Sequence, residues 1–359
     1  VRSRRALRVA VPSDLLRLTA STGHGKVWGT VLAGLSEHAR LVVEDPGHGV
    51  RRRLRRRTRP DVWLASGHER PPEGATAPGS APLVEVVHEV GWRDPDVAHL
   101  LSPSFREAID AATSQALSVA DHVITPSQWS RRGVLAAYGL PGEAVHVVAY
   151  GVDADTFRPG LGGGRQLVAE RLGGAGAYVL FVGVRHPRKN LAALRDAMAI
   201  LAGRDIRRAL VVVSGEAGDR SQGASAAPGA PPGPPAPELS LQGISERQLA
   251  ALMAGADAFC LPSLGEGFGL PALEAMACGA PIVASDRGAL PATVGGGAIV
   301  VTPEAASVAE ALQRVLVDER EADRLRAAGR ERALEFPWSR TVSGWLAVLE
   351  RAAQEPPSG

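Results

Sequence analysis

Cysteine, aromatic residues and net charge are all scarce in this chain, and each scarcity removes a class of function. Only two cysteines occur, Cys260 and Cys278, too few for a disulfide framework or a cysteine-based zinc site. Both stand in apolar runs and read as buried thiols. Aromatics make up 4% of the 359 residues, and 40 Lys and Arg oppose 38 Asp and Glu, a formal net charge of +2. A near-neutral chain with no aromatic platform is not expected to bind nucleic acid. No apolar stretch is long enough to span a bilayer. The basic start, Val1-Arg2-Ser3-Arg4-Arg5, lacks the apolar core and cleavage site of a secretion signal. Together these features predict a cytoplasmic protein. One local exception is the run from Arg51 to Arg59. It reads first as a solvated face, with loose peripheral contact to an anionic membrane as the alternative.

The length predicts two domains. Short apolar runs alternate with helical patterns from Leu7 to about Ala149, and a second such series begins at Tyr178. That alternation predicts parallel sheets covered by helices. Expected strands include Leu83–His88 in the first series and Tyr178–Val182 and Ala258–Leu261 in the second. The Gly-rich stretch from Val152 to about Gly176 reads as a linker. Residues 217–237, rich in Gly, Ala, Ser and Pro, read as a surface loop.

The most informative segment is Leu261-Pro262-Ser263-Leu264-Gly265-Glu266-Gly267-Phe268-Gly269-Leu270-Pro271-Ala272-Leu273-Glu274. A strand ends near Leu261, and three glycines let backbone amides approach a ligand closely. Pro271 suits the first position of a helix. Amides and a helix N-terminus at one point make an anion site suited to a diphosphate, beyond the carboxyl end of a strand where open α/β sheets place ligands. Glu266 before the helix and Glu274 one turn inside it each present a carboxylate that accepts two hydroxyl hydrogen bonds, as a sugar ring or a ribose offers. Alternatively, Glu274 merely complements the helix dipole.

A second segment is Phe181-Val182-Gly183-Val184-Arg185-His186-Pro187-Arg188-Lys189-Asn190-Leu191, a strand opening into a cationic loop and then a helix. Cations there neutralise a diphosphate leaving group; alone, they are equally a solvated basic loop. Thr22-Gly23-His24-Gly25-Lys26 follows the first strand, but is not a Walker loop, because Val27 stands where Ser or Thr is required. His88 ends an apolar strand, where a buried structural histidine is the plain alternative. Asp94-Pro95-Asp96 and Asp153-Ala154-Asp155 imitate metal-binding DxD motifs, yet no further ligand cluster has metal spacing, and no metal is expected.

Glu266 and Glu274, with seven residues between them that include Gly267-Phe268-Gly269-Leu270-Pro271, resemble the paired-glutamate signature of the retaining transferases of glycosyltransferase family 4. The resemblance implies the GT-B fold, two facing Rossmann-like α/β domains with a central cleft. Its expected bounds here are 1–165, 166–338, and a C-terminal helical segment 339–359 crossing back to the first domain. It implies a donor that is a nucleotide-diphosphate sugar, GDP-mannose or a UDP-sugar, and no required cofactor. The acceptor would be a glycan, a lipid-linked sugar or a small molecule. By resemblance, Glu266 contacts the transferred sugar and Glu274 the ribose. Arg188 and Lys189 match the family's Arg-Lys pair, with Arg185 as the substitute for Arg188. Gly183, Gly267, Phe268, Gly269 and Leu270 line the donor, Gly23 and Gly25 underlie its phosphates, and His88 matches the histidine at the sugar end. Glu266, His88, Arg188 and Lys189 are thus the candidate catalytic residues. One departure is Tyr150, where the family usually has Asn before Gly151-Val152-Asp153. The rival readings are a GT-B phosphorylase, an inactive sugar-nucleotide binder, and a surface adaptor working through the Arg51–Arg59 run.

Overall fold

A computed structural model describes residues 6–17, 23–44, 59–69, 71–72, 75–76, 80–174, 176–215 and 236–355. Of the basic run only Arg59 lies among them, and of residues 217–237 only Ala236 and Pro237. The chain divides into two compact units, residues 1–93, 103–150 and 338–359 in one, and 94–102 and 151–337 in the other.

The first unit is built on β1 (Arg8–Pro12), α1 (Gly23–Ser36), β2 (Arg40–Glu44), β3 (Val62–Ser66) and β4 (Leu83–Val86). The short α2 (Pro95–Ala98) belongs to the second unit. The first unit then resumes with α3 (Pro103–Leu117), β5 (His122–Thr125), α4 (Gln128–Tyr138) and β6 (Val145–Val147). All six strands are parallel, in the order β2-β1-β3-β4-β5-β6. Val9, Ala10, Val11, Val62, Leu64 and Val84 are at most marginally exposed, as strands covered on both faces must be. The strand expected over Leu83–His88 ends at Val86. His88 therefore sits in the loop past the sheet's carboxyl edge, where its direction is set by loop contacts.

The second unit repeats the plan: α5 (Gly164–Leu172), β7 (Tyr178–Val182), α6 (Leu191–Gly203), β8 (Ala209–Val213), β9 (Glu238–Leu241), α7 (Glu246–Gly255), β10 (Ala258–Leu261), α8 (Leu270–Ala277), β11 (Ile282–Ser285), α9 (Leu290–Val294), β12 (Ala298–Val301), α10 (Ala305–Val317) and α11 (Glu319–Leu334). Its parallel sheet runs β12-β11-β10-β7-β8-β9. Strands β7 and β10 lie at its centre, and their carboxyl ends feed the two segments singled out in the sequence.

Three elements correct the sequence reading. The stretch read as a linker contains α5, anchored by buried Val168 and an Arg165–Asp257 ion pair. Helix α5 packs against α7, and the longer segment of the second unit runs over residues 151–337. Strand β9 closes the sheet just after the low-complexity stretch. Pro271 occupies the second helical position, since α8 starts at Leu270.

The chain returns to the first unit with α12 (Trp338–Gln354), which packs along α1. Trp345 meets Trp28 edge to face, with centroids 5.3 Å apart at 86°, a favoured aromatic geometry. Thr341 Oγ1 donates to the Ala149 carbonyl at 2.8 Å. Both tryptophans are essentially unexposed, so this helix is part of the first unit's core.

Candidate active site

In the second unit, β10 ends at Leu261 and the chain loops through Gly265–Gly269 into α8. The loop is buried rather than loose. Phe268 packs edge to face on Phe336, and its carbonyl accepts from Thr293 Oγ1 at 2.6 Å. Gly269 adopts φ +100°, a left-handed conformation that turns the chain into the helix. From the neighbouring strand, β7 leads to a single 3-10 turn over Pro187–Lys189. Its entry is fixed by His186 Nδ1, which accepts the Arg188 amide at 3.1 Å. The Leu264 amide donates to the Arg188 carbonyl at 2.8 Å, joining the two loops directly.

That junction brings three of the predicted catalytic residues together. Lys189 Nζ lies 2.6 Å from Glu266 Oε1, and Arg188 Nη1 lies 3.4 Å from Glu266 Oε2 while donating to the Gly265 carbonyl at 2.5 Å. Ser263 Oγ donates to Glu266 Oε1 at 2.7 Å. Lys189 and Glu266 are both buried, at 7% and 6% exposure. An ammonium at that depth requires a partner. Burial by itself would raise the Glu266 carboxyl, but Lys189 and Arg188 with their hydrogen bonds outweigh it and bring it down to about 2. Glu266 is therefore ionised at any physiological pH and suits a hydrogen-bond acceptor rather than a proton donor. Two cations against the one Glu266 carboxylate leave one positive charge among these three side chains.

The other donor candidates sort by position. Gly183 lies under the aliphatic stem of Lys189, where an added methyl would stand 3.4 Å from Cδ and Cε. Glu274 is buried on the first turns of α8, with Gly267 and Leu270 buried beside it. Arg185 is exposed and donates to Ser240 Oγ at 2.9 Å on β9; of the two arginines, it is Arg188 that stands beside Glu266.

Gly23, Gly25 and His88 belong to the first unit. Gly23 and Gly25 form the first turn of α1, while Thr22 lies outside the described residues. His24 of that turn stacks on His88, centroids 4.1 Å apart at 14°. His88 is 4% exposed. Burial, then the neighbouring His24 and His68, holds its imidazole well below the usual range, and burial with His24 takes His68 down to about 3. Both rings are neutral at pH 7.

The two DxD patterns are occupied locally. Asp94 caps α2 by accepting the Asp96 amide at 2.9 Å, and Asp96 pairs with Arg287 at 3.3 Å. Asp153 accepts the Asp155 amide and the Thr156 hydroxyl. Among the described residues, no group of three or more His, Cys, Asp or Glu is arranged to hold a metal ion, and no helix is long and apolar enough to cross a membrane.

Three supporting residues escaped the sequence reading. Ser263 orients Glu266. Asn190, left-handed at φ 53°, donates to the Pro262 and Pro303 carbonyls at 3.2 and 2.8 Å. Gly288, at φ +66°, passes so close beneath Glu266 that an added methyl would stand 2.5 Å from its backbone N and O. The Ser263-x-x-Glu266 spacing was visible in the sequence; the contacts of Asn190 and Gly288 depend on tertiary approach and left no local pattern.

Residues 169–332 match the model of Glycosyl transferases group 1, and residues 31–156 that of Glycosyltransferase Family 4. A D-inositol 3-phosphate glycosyltransferase 1 from Catenulispora acidiphila is 32% identical over 76% of this chain and 67% of its own. The chain belongs to glycosyltransferase family 4. An MMP alpha-(1->4)-mannosyltransferase from Mycolicibacterium hassiacum is 34% identical over 76% of this chain and 66% of its own length. The chain spans between about half and two thirds of the curated relatives it matches. Among solved structures, sucrose-phosphate synthase from Thermosynechococcus elongatus aligns with a TM-score of 0.72 at 20% identity, over 96% of this chain and 98% of its own. Anabaena HepE in complex with UDP-glucose aligns at 0.65 and 18%, over 97% and 100%. These likenesses are of fold, and the family member has the α/β GT-B architecture.

Proposed function

We propose that this family 4 member is a glycosyltransferase. It moves a hexose from a nucleotide-diphosphate sugar to an acceptor hydroxyl, with retention at the anomeric carbon. The observation that carries the reading is the buried Arg188–Lys189–Glu266 network on the loop that opens α8. It offers what breaking a glycosyl–phosphate bond requires. Two fixed cations stand where negative charge grows on the departing diphosphate, in a site that need not reorganise as the bond breaks. Glu266, permanently ionised, holds sugar hydroxyls rather than attacking the anomeric carbon, and Glu274 on α8 holds the ribose. Gly183, Gly267, Phe268, Gly269 and Leu270 line the donor. The second unit is then the donor-binding domain; the first, with His88, carries the acceptor side.

The mannosyltransferase from Mycolicibacterium hassiacum supports a mannosyl or related hexosyl donor, and the D-inositol 3-phosphate glycosyltransferase supports a small hydroxylated acceptor. No metal enters the scheme, because the charge neutralisation is assigned to Arg188 and Lys189. The test is a thermal-shift screen of nucleotides and nucleotide sugars, followed by donor-hydrolysis and transfer assays on the best hit. Stabilisation by one nucleoside diphosphate and turnover of its sugar are expected. Turnover that needs inorganic phosphate and no nucleotide would make the protein a phosphorylase instead, and binding without turnover an inactive binder.

A further inference from the structure

His88 is held at every polar point but one. Its backbone amide donates to His68 Nε2 at 3.2 Å, its carbonyl accepts from Ser130 Oγ at 2.9 Å, and its Nδ1 is hydrogen-bonded to the Tyr150 hydroxyl. Its ring is stacked on His24 and met edge-on by Trp28 at 6.3 Å. Nε2 is buried and has no partner. Such a group in a native fold calls for an explanation, and a role in catalysis, in which a bound molecule supplies the missing partner, is one of the recognised ones.

A neutral imidazole carries one proton, and the bond made by one nitrogen decides what the other offers. Two arrangements fit the Tyr150–His88 contact. In one, Nδ1–H donates to the phenol oxygen and leaves Nε2 an acceptor. In the other, the phenol O–H donates to Nδ1 and leaves Nε2–H a donor. A phenol is the better donor of the two groups and an imidazole nitrogen the better acceptor. Burial also keeps the Tyr150 hydroxyl protonated far beyond neutral pH. The second arrangement follows.

We propose that Tyr150 is a positioning residue: its hydroxyl holds the His88 proton on Nε2 and so presents one fixed N–H donor to a sugar hydroxyl. His68 assists by accepting the His88 amide, which fixes the loop that carries the ring. What His88 meets rests on the transfer reading above; the tautomer does not.

The test uses the full chain labelled with 15N-histidine, the His88 signals being assigned by their loss in His88→Gln. Wild type should show His88 protonated on Nε2 alone. Tyr150→Phe keeps the ring and its packing but removes the donor, so His88 should become a mixture of tautomers, with kcat lowered about tenfold, as for loss of one oriented hydrogen bond, and donor KM within about threefold. His88 protonated on Nδ1 in wild type overturns the proposal. So does a Tyr150→Phe protein with unchanged tautomer and full kcat. A wild type that transfers no sugar would count against the transfer reading, and the spectra would still decide on Tyr150.

Discussion

Replacing Glu266 by glutamine should separate the electrostatic account of the site from a purely steric one. The amide keeps the shape of the side chain and an acceptor for Ser263, but it removes the charge that faces Lys189 and Arg188. A carboxyl brought from its ordinary 4.5 to about 2 contributes roughly 3 kcal/mol at pH 7 relative to its protonated form. That agrees with the several kcal/mol expected when one member of a buried ion pair is removed. The sign follows from the depressed value. The contribution is complete above about pH 4.5 and is lost as pH falls toward 2, with roughly 1 kcal/mol gone by about pH 3.5. Urea unfolding of wild type and Glu266→Gln at about pH 7 and pH 3.5 measures this. All six tryptophans, at 28, 63, 92, 129, 338 and 345, lie in the first unit, so the second unit must be followed by circular dichroism. A difference below about 1 kcal/mol at pH 7, or one that does not shrink in acid, would refute the reasoning.

Gly288→Ala should be worse than a surface glycine change. Its methyl meets the Glu266 backbone at 2.5 Å, and the left-handed φ adds roughly 1 kcal/mol or more of strain; a lowered melting temperature and reduced turnover are expected together. Arg188→Ala should lower kcat/KM by about a hundredfold, whereas Arg185→Ala, directed at Ser240, should cost at least tenfold less; equal losses would reassign the cation pair. Glu85, on β4, is unexposed, and neither carboxyl oxygen has a partner. Burial, then Glu69, raises it to about 8. This penalty is absent below about pH 4.5 and grows as pH rises toward 8, so Glu85→Gln should stabilise the first unit by up to roughly 3 kcal/mol at pH 7 and little at pH 4.5, read by tryptophan fluorescence.

The fold was legible wherever apolar strands stood out against turn residues. Strands β7 and β10 are continuous apolar runs, and they fixed both the sheet and the places where its loops open. Strand β9 was not legible. It is a four-residue edge, Glu-Leu-Ser-Leu, with only Leu241 buried, and a short half-polar edge has little periodicity to read. Helix α5 was hidden by Gly162-Gly163-Gly164 and by the weak amphipathicity of Arg165–Leu172; it is held mainly by what it packs against. At the site, the Gly-rich loop and the cations were readable because loop chemistry is local. The pairing of Lys189 with Glu266 joins residues 77 apart, and that of His88 with Tyr150 joins residues 62 apart. Such pairings follow from strand order, which no local pattern encodes. Tyr150 did show as a departure from the family pattern, but its partner did not.

The central claim is that Arg188 and Lys189, held in place by Glu266, form a diphosphate site. Calorimetric titration of the folded protein with GDP and with UDP tests it most directly, alongside Arg188→Ala and Lys189→Gln variants whose circular dichroism matches wild type. One nucleoside diphosphate should bind to wild type and lose about tenfold or more in affinity in each variant, as expected for removing a charge-assisted phosphate contact. Absence of binding by either nucleotide, or binding undiminished in both variants, would contradict the account.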